Sequence, residues 1–240
     1  KDAEGNLIRT ITAKPKKGSQ RIAWDLRHTN PYPVSNGSGG WRSGGPMATP
    51  GTYMASLSLE KEGIIAPLDG PVSFEVRPIR DGVLEGVNYA TFNNYFESVK
   101  TLLNESAAYE DALSMADKKL AMFETALYRT NTDPQAILSL ITEAKKALAG
   151  LRKQIDGSPS KNIIGERNPA SWQDHLSVAM RGMGTTYGPT PLHKQSLQIA
   201  AELLENMKAA IKDVAQEKVP AIEAALIKAG APYMSGQGIE

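Results

Sequence analysis

The chain changes its grammar once, near Gly86, and that change constrains the fold more than any single motif. The first 90 residues hold 12 of the 21 Gly and 8 of the 15 Pro, whereas the stretch from Asn88 to Thr130 contains neither. Gly and Pro punctuate turns and loops, so the early part reads as short strands between loops and the later part as long helices. The expected division is a β portion over 1–86 and an α-helical bundle over 87–240, a segregated α+β chain.

In the β portion, strand-length runs are expected at Leu7 to Thr12, Gln20 to Leu26, Thr52 to Leu59 and Val72 to Arg77. Tyr53, Ala55, Leu57 and Leu59 alternate with polar or small residues, the pattern of a sheet with one buried face. No crossover helix fits between the runs, so the sheet is expected to be antiparallel. About four strands is few for a closed sandwich of roughly seven, so strands are missing, and they are expected ahead of Lys1.

From Asn88 the period lengthens to about 3.5. Phe92, Phe96, Val99 and Leu103, then Leu113, Ala116, Leu120, Phe123 and Leu127 after polar Ser106 and Glu110, predict one long helix of about 60 Å. Asp133-Pro134 predicts a fresh helix start, and Ile137, Ile141, Ala144, Leu148, Leu151 and Ile155 carry it to Gly157. Ser171 caps a short helix ending near Met180. A third long helix runs from about Pro191 to Ala229 on Leu192, Ile199, Leu203, Ile211, Val214, Ile222 and Leu226, kinked at Pro220 and capped by Gly230. Three long helices and one short one, joined in this order, predict an antiparallel bundle. The stripes can serve packing within the chain or self-association.

The chemistry is sparse. Lys and Arg number 27 against 26 Asp and Glu, so no field of one sign draws the chain to nucleic acid. The absence of Cys excludes disulfides and thiolate sites, and no apolar run has the length of a membrane span. His28, His175 and His193 lack the spacing of metal ligands, and no phosphate loop or nucleophile elbow occurs, so no cofactor, metal or catalytic residue is assigned. Glu166 and Asp174 flank a loop as an acid pair; the plainer reading makes Asp174 a helix-terminal residue. Tyr32 and Trp41 lie in the Gly-rich stretch from His28 to Pro50, where aromatics either stack on a sugar ring or dock on a neighbouring domain. In Trp24-Asp25-Leu26-Arg27, Asp25 and Arg27 share a strand face opposite Trp24, which predicts a structural role: a buried aromatic and an ordering salt bridge. Asn36-Gly37-Ser38 and Asn104-Glu105-Ser106 match the glycosylation sequon.

Four segments carry a resemblance: Asp2 to Arg9, Gly18 to Arg27, Pro50-Gly51-Thr52-Tyr53 and Val76-Arg77-Pro78. Their order is similar to the Ig-like module at the C-terminal end of sortilin-type, BNR-repeat β-propeller proteins, large secreted bacterial proteins often labelled glycosyl hydrolases. A related sandwich occurs in the flagellar hook-capping protein. Tyr187-Gly188-Pro189-Thr190-Pro191, Val219-Pro220-Ala221-Ile222 and Ala229-Gly230-Ala231-Pro232 are similar to that family's helical tail. After Val76-Arg77-Pro78 the family continues with an Asp-Pro-Arg type sequence, where this chain has Ile79-Arg80-Asp81. The resemblance implies an Ig-like, hook-capping-protein-like sandwich portion lacking its first strands, followed by the helical bundle. It implies a secreted, periplasmic or cell-surface accessory region partnered by an upstream propeller, with a further protein partner at the bundle or a glycan at the Trp41 loop. The propeller that would carry hydrolytic chemistry is outside these residues, so no family catalytic residue transfers.

Overall fold

A computed structural model describes residues 1–34, 44–79, 88–185 and 187–237. Its elements are β1 (Gly51–Lys61), β2 (Ile64–Val76), α1 (Tyr89–Leu127), α2 (Gln135–Asp156), α3 (Pro159–Ile163), α4 (Trp172–Arg181), α5 (Pro191–Lys212) and α6 (Val219–Lys228). A 3-10 turn, Gly182–Gly184, follows α4, and a π-helical segment, Asp213–Lys218, joins α5 to α6. Two compact units result: Lys1–Lys100 with Met180–Thr190, and Thr101–Ala179 with Pro191–Glu240.

In the first unit the sheet has two antiparallel strands among the described residues, and no Ig-like sandwich is formed. Glu62 and Gly63, with φ of 52° and 78°, make the two-residue hairpin turn, in which both central residues take positive φ. The segments Leu7 to Thr12 and Gln20 to Leu26 are not strands; Ile8 and Leu26 each accept one backbone bond, from Thr29 and Ala48, and the isolated bridges fall beside them, at Asp2 with Tyr53 and Arg27 with Met47. A strand-length run without a neighbour to bond along its length makes no ladder. Leu26 has φ +56°, which ends any strand at the Asp25 turn.

The core of this unit is Ile8, Ala48 and Tyr53, with Trp24 and Val76 packed against it. Trp24 sets its ring edge-on to Tyr53 at 5.3 Å and to Phe74 at 6.1 Å, and its indole N–H donates to the Arg27 carbonyl at 3.0 Å. Such aromatic pairs add to simple area burial because ring edge and ring face carry opposite partial charge. The Tyr53 hydroxyl donates to the Thr49 carbonyl at 2.6 Å, so its one polar atom is satisfied. Phe92, Tyr95, Phe96 and Val99 of α1 are also buried, and the Phe96 ring lies 5.3 Å from that of His28.

The second unit is built on the predicted stripes. All six stripe residues of α2 are buried, and Leu113, Ala116, Leu120, Phe123 and Leu127 of α1 join them. Ion pairs fix the directions. Lys145 with Glu124 and Arg152 with Glu110 run α2 antiparallel to α1, whereas Lys208 with Glu105 and Lys119 with Glu223 run α5 and α6 parallel to it. Up, down and up is the order that short connections allow.

Among the described residues the helices number six, against four expected. Pro159 opens the extra five-residue α3, as Pro does at a first helical position. The third long helix is divided because Pro220 has no N–H for the carbonyl four residues back. The turn before it widens instead, and the Val219 N–H bonds back to the Val214 carbonyl. Ile211, Val214, Ile222 and Leu226 are buried as expected, while earlier in the helix Ser196, Ala200 and Leu204 are inside and Leu192 is exposed. The helix closes as predicted on Gly230, at φ +77°, with Ala231 N–H bonding Leu226 and Gly230 N–H bonding Ile227, the paired bonds of a left-handed cap.

Candidate interaction surface

The ladder register sorts the ribbon into two faces. Tyr53 stands opposite Phe74, Ala55 opposite Val72, Leu59 opposite Ala66 and Lys61 opposite Ile64. Between Ala55 and Ser58, β2 spends two extra residues against β1, so the bulges lie on β2 and the odd-numbered β1 side chains keep one face throughout. That face carries Tyr53, Ala55, Leu57, Leu59 and Lys61 with Phe74, Val72, Asp69, Ala66 and Ile64, mostly apolar with Asp69 opposite Leu57. The other carries Thr52, Met54, Ser56, Ser58 and Glu60 with Ser73, Glu75, Pro67 and Ile65.

Only one end of the apolar face is covered. Tyr53 is 5% exposed beneath Trp24, whereas Leu57 is 53%, Val72 62% and Ile64 70% exposed. Leu59 is exposed as well. Exposed apolar side chains grouped in this way make the strip a candidate contact surface. Burying each such side chain is worth roughly 1.5–3 kcal/mol.

The structurally assigned residues sit around the covered end. Asp25 accepts the Arg27 backbone N–H at 3.1 Å and pairs with Arg9 at 3.7 Å, while the Arg27 guanidinium donates to the Gly45 carbonyl. The salt bridge expected between Asp25 and Arg27 is thereby replaced, because the turn at Leu26 separates their side chains. Tyr32 is half-buried, with its backbone N–H on Asn30 Oδ1. Trp41 and Asn36 lie outside the described residues.

His28 is a described imidazole of this unit with a shifted pKa. Burial holds its imidazole below the ordinary 6.5, with Glu97 opposing and Lys100 reinforcing the shift. Its backbone is fixed by Pro46 and Gly45, and its carbonyl accepts from Arg9. Burial also raises the Tyr95 phenol to about 12.

In the second unit, polar side chains serve packing. Ser171 and Asp174 form a reciprocal cap at the start of α4: Ser171 N–H and hydroxyl both donate to Asp174, and Asp174 N–H donates to Ser171 Oγ. These bonds lower the Asp174 pKa. Glu166 pairs with Lys161 at 2.8 Å, so each member of the acid pair has a structural partner. Trp172 is buried and donates its indole N–H to Ser106 Oγ at 2.9 Å. Glu110 receives Arg152 and Gln173. The polar break in the α1 stripe is therefore the seat of α4, a role its sequence does not announce. Two open grooves, of about 240 Å³ beside Ala112 and Ile211 and about 450 Å³ beside Leu120 and Leu148, flank α1.

Among the described residues no group of three His, Asp or Glu side chains is placed to hold a metal ion, and no helix is long and apolar enough to cross a membrane. No family model, curated protein or solved structure matches the chain.

Proposed function

We propose that the chain is a non-catalytic accessory region of a larger secreted, BNR/sortilin-type propeller protein of the glycosyl-hydrolase class. In this reading the ribbon is part of an Ig-like sandwich that braces the propeller, and the helical bundle presents a protein-contact surface. One observation supports the reading above the others: the strip Leu57, Leu59, Ile64 and Val72 is patterned for burial and stands exposed. The order of the segments from Asp2 to Pro78 supports the propeller class by resemblance.

A covalently joined neighbour suits this strip better than a free ligand. Free association costs an estimated 4–15 kcal/mol in lost freedom, and a joined domain avoids most of it.

The test is intact mass and N-terminal sequencing of the protein purified from its native source, followed by a glycan-binding screen of the 240-residue chain. A native species much larger than 25.9 kDa that contains these residues, with no saturable glycan binding by the chain, is the expected result. A native species of 25.9 kDa overturns the reading, and sugar binding abolished by Trp41→Ala replaces it with a glycan-binding module.

A further inference from the structure

The outer edge of β1 is already paired at one end, and the pairing has a direction. The Lys1 amino group donates to the Met54 carbonyl at 2.9 Å, and the Met54 N–H donates to the Lys1 carbonyl at 2.8 Å. Asp2 and Tyr53 stand opposite each other as an antiparallel bridge. Asp2 turns its own N–H the other way, to the Asn6 carbonyl at 3.0 Å. Successive residues bonding to opposite sides is how a strand with two neighbours behaves.

The pattern extends along β1 by arithmetic. Backbone groups of a strand alternate between its two edges, so if Met54 points outward, Ser56, Ser58 and Glu60 do too. The bulges lie on β2 and leave this alternation of β1 unbroken. No described residue bridges β1 on that side beyond Tyr53 and Met54. An edge of this length with free donors and acceptors is a template for another strand.

We propose that the outer edge of β1 from Ala55 to Lys61 takes an extended segment as a third, antiparallel strand. Resting on the larger protein proposed above, the segment is the stretch that enters at Lys1. Antiparallel pairing at Lys1 and Met54 sends residues ahead of Lys1 toward Lys61, so the residue joined to Lys1 stands opposite Ala55. The strand sets alternate side chains on the apolar face beside Leu57 and Leu59, and it widens the two-stranded ribbon toward the three strands that independent stability requires.

Hydrogen exchange read residue by residue on the 240-residue chain and on the protein from its native source tests this. The expected result is exchange at Ser56, Ser58 and Glu60 at least tenfold slower in the native protein. A disulfide is also expected between Ala55→Cys and a cysteine at the residue joined to Lys1, since facing residues of a non-hydrogen-bonded pair lie about 4.5 Å apart. Equal exchange rates in a native protein that extends ahead of Lys1 overturn the strand while leaving the larger-protein reading standing. A native protein of 25.9 kDa overturns both. Protection in the 240-residue chain that grows with its concentration makes a second copy the occupant and overturns the proposal.

Discussion

Phe74 stacks on Tyr53 with ring centroids 6.1 Å apart, directly across the ladder, yet Tyr53 is buried and Phe74 is 38% exposed. The pair marks the line where the cover of the apolar face ends. On one side of it Trp24, Ile8 and Ala48 close the core, and on the other Leu57, Leu59, Ile64 and Val72 continue the same face into solvent.

That line divides the consequences of substitution. Tyr53→Ala removes a buried ring and its bond to Thr49, and is expected to destabilise the chain by about 3–5 kcal/mol. Leu57→Thr and Val72→Thr, on exposed positions, are expected to stay within about 0.5 kcal/mol. Urea unfolding of the three variants measures both.

The bond from Trp172 to Ser106 predicts an asymmetry. Ser106→Ala leaves a buried indole N–H without its acceptor and is expected to cost about 1–3 kcal/mol. Trp172→Ala empties the seat of α4 and is expected to cost about 3–5 kcal/mol. Thermal unfolding followed by helix content gives the ranking, and a Ser106→Ala protein as stable as the parent would show that the bond is replaced by water.

His28 gives the first unit a pH dependence of known sign. Its folded pKa lies below 6.5, so the unfolded chain binds the proton more readily. The stabilising contribution of the neutral ring is complete above about 6.5 and is lost as the pH falls through the folded value. The charged groups facing it are Glu97, Lys100 and Asp2. Unfolding free energy measured between pH 7 and 5 is expected to fall in the parent and to fall less in His28→Gln.

Gly157 has no room for a side chain. Its φ is +78°, and a Cβ there would meet the Asn168 side chain at 2.2 Å, where Asn168 Oδ1 accepts the Ser158 N–H at 2.9 Å. Gly157→Ala is expected to cost more than the roughly 1 kcal/mol of an unfavourable φ alone. Denaturant midpoints compare it with Gly150→Ala, a helical site with nothing near the added methyl, where stability is expected to rise.

The second unit was largely readable in the sequence because its signals are local. The α2 stripe from Ile137 to Ile155, the Asp133 cap, the Ser171 cap and Gly230 each depend on residues within a turn or two. The first turns of α5 depart from the expected face because burial there uses Ser196 and Ala200, small side chains that hydrophobicity does not flag, whereas Ile211 is buried as expected. The opening of β2 at Ile64 was missed because Pro67, Gly70 and Pro71 interrupt the alternation, and bulges absorb the interruption. Leu7 to Thr12 and Gln20 to Leu26 have strand length and still form no strand, since a ladder needs a neighbour that the run itself cannot supply. For the same reason the sequence points to Leu57 and Leu59 as a buried face and is silent about whether anything covers it. The Trp172–Ser106 contact spans 66 positions and has no local signature.

The central claim is that the exposed strip of the ribbon is covered in a larger protein. The chain contains no Cys, so Leu59→Cys places a single thiol on that strip. Its alkylation rate is measured in the 240-residue chain and in the longer native protein, with the labelled peptide identified by mass. The account predicts a rate near that of a free thiol in the chain and at least tenfold slower labelling in the native protein. Equal, rapid labelling in both would contradict it.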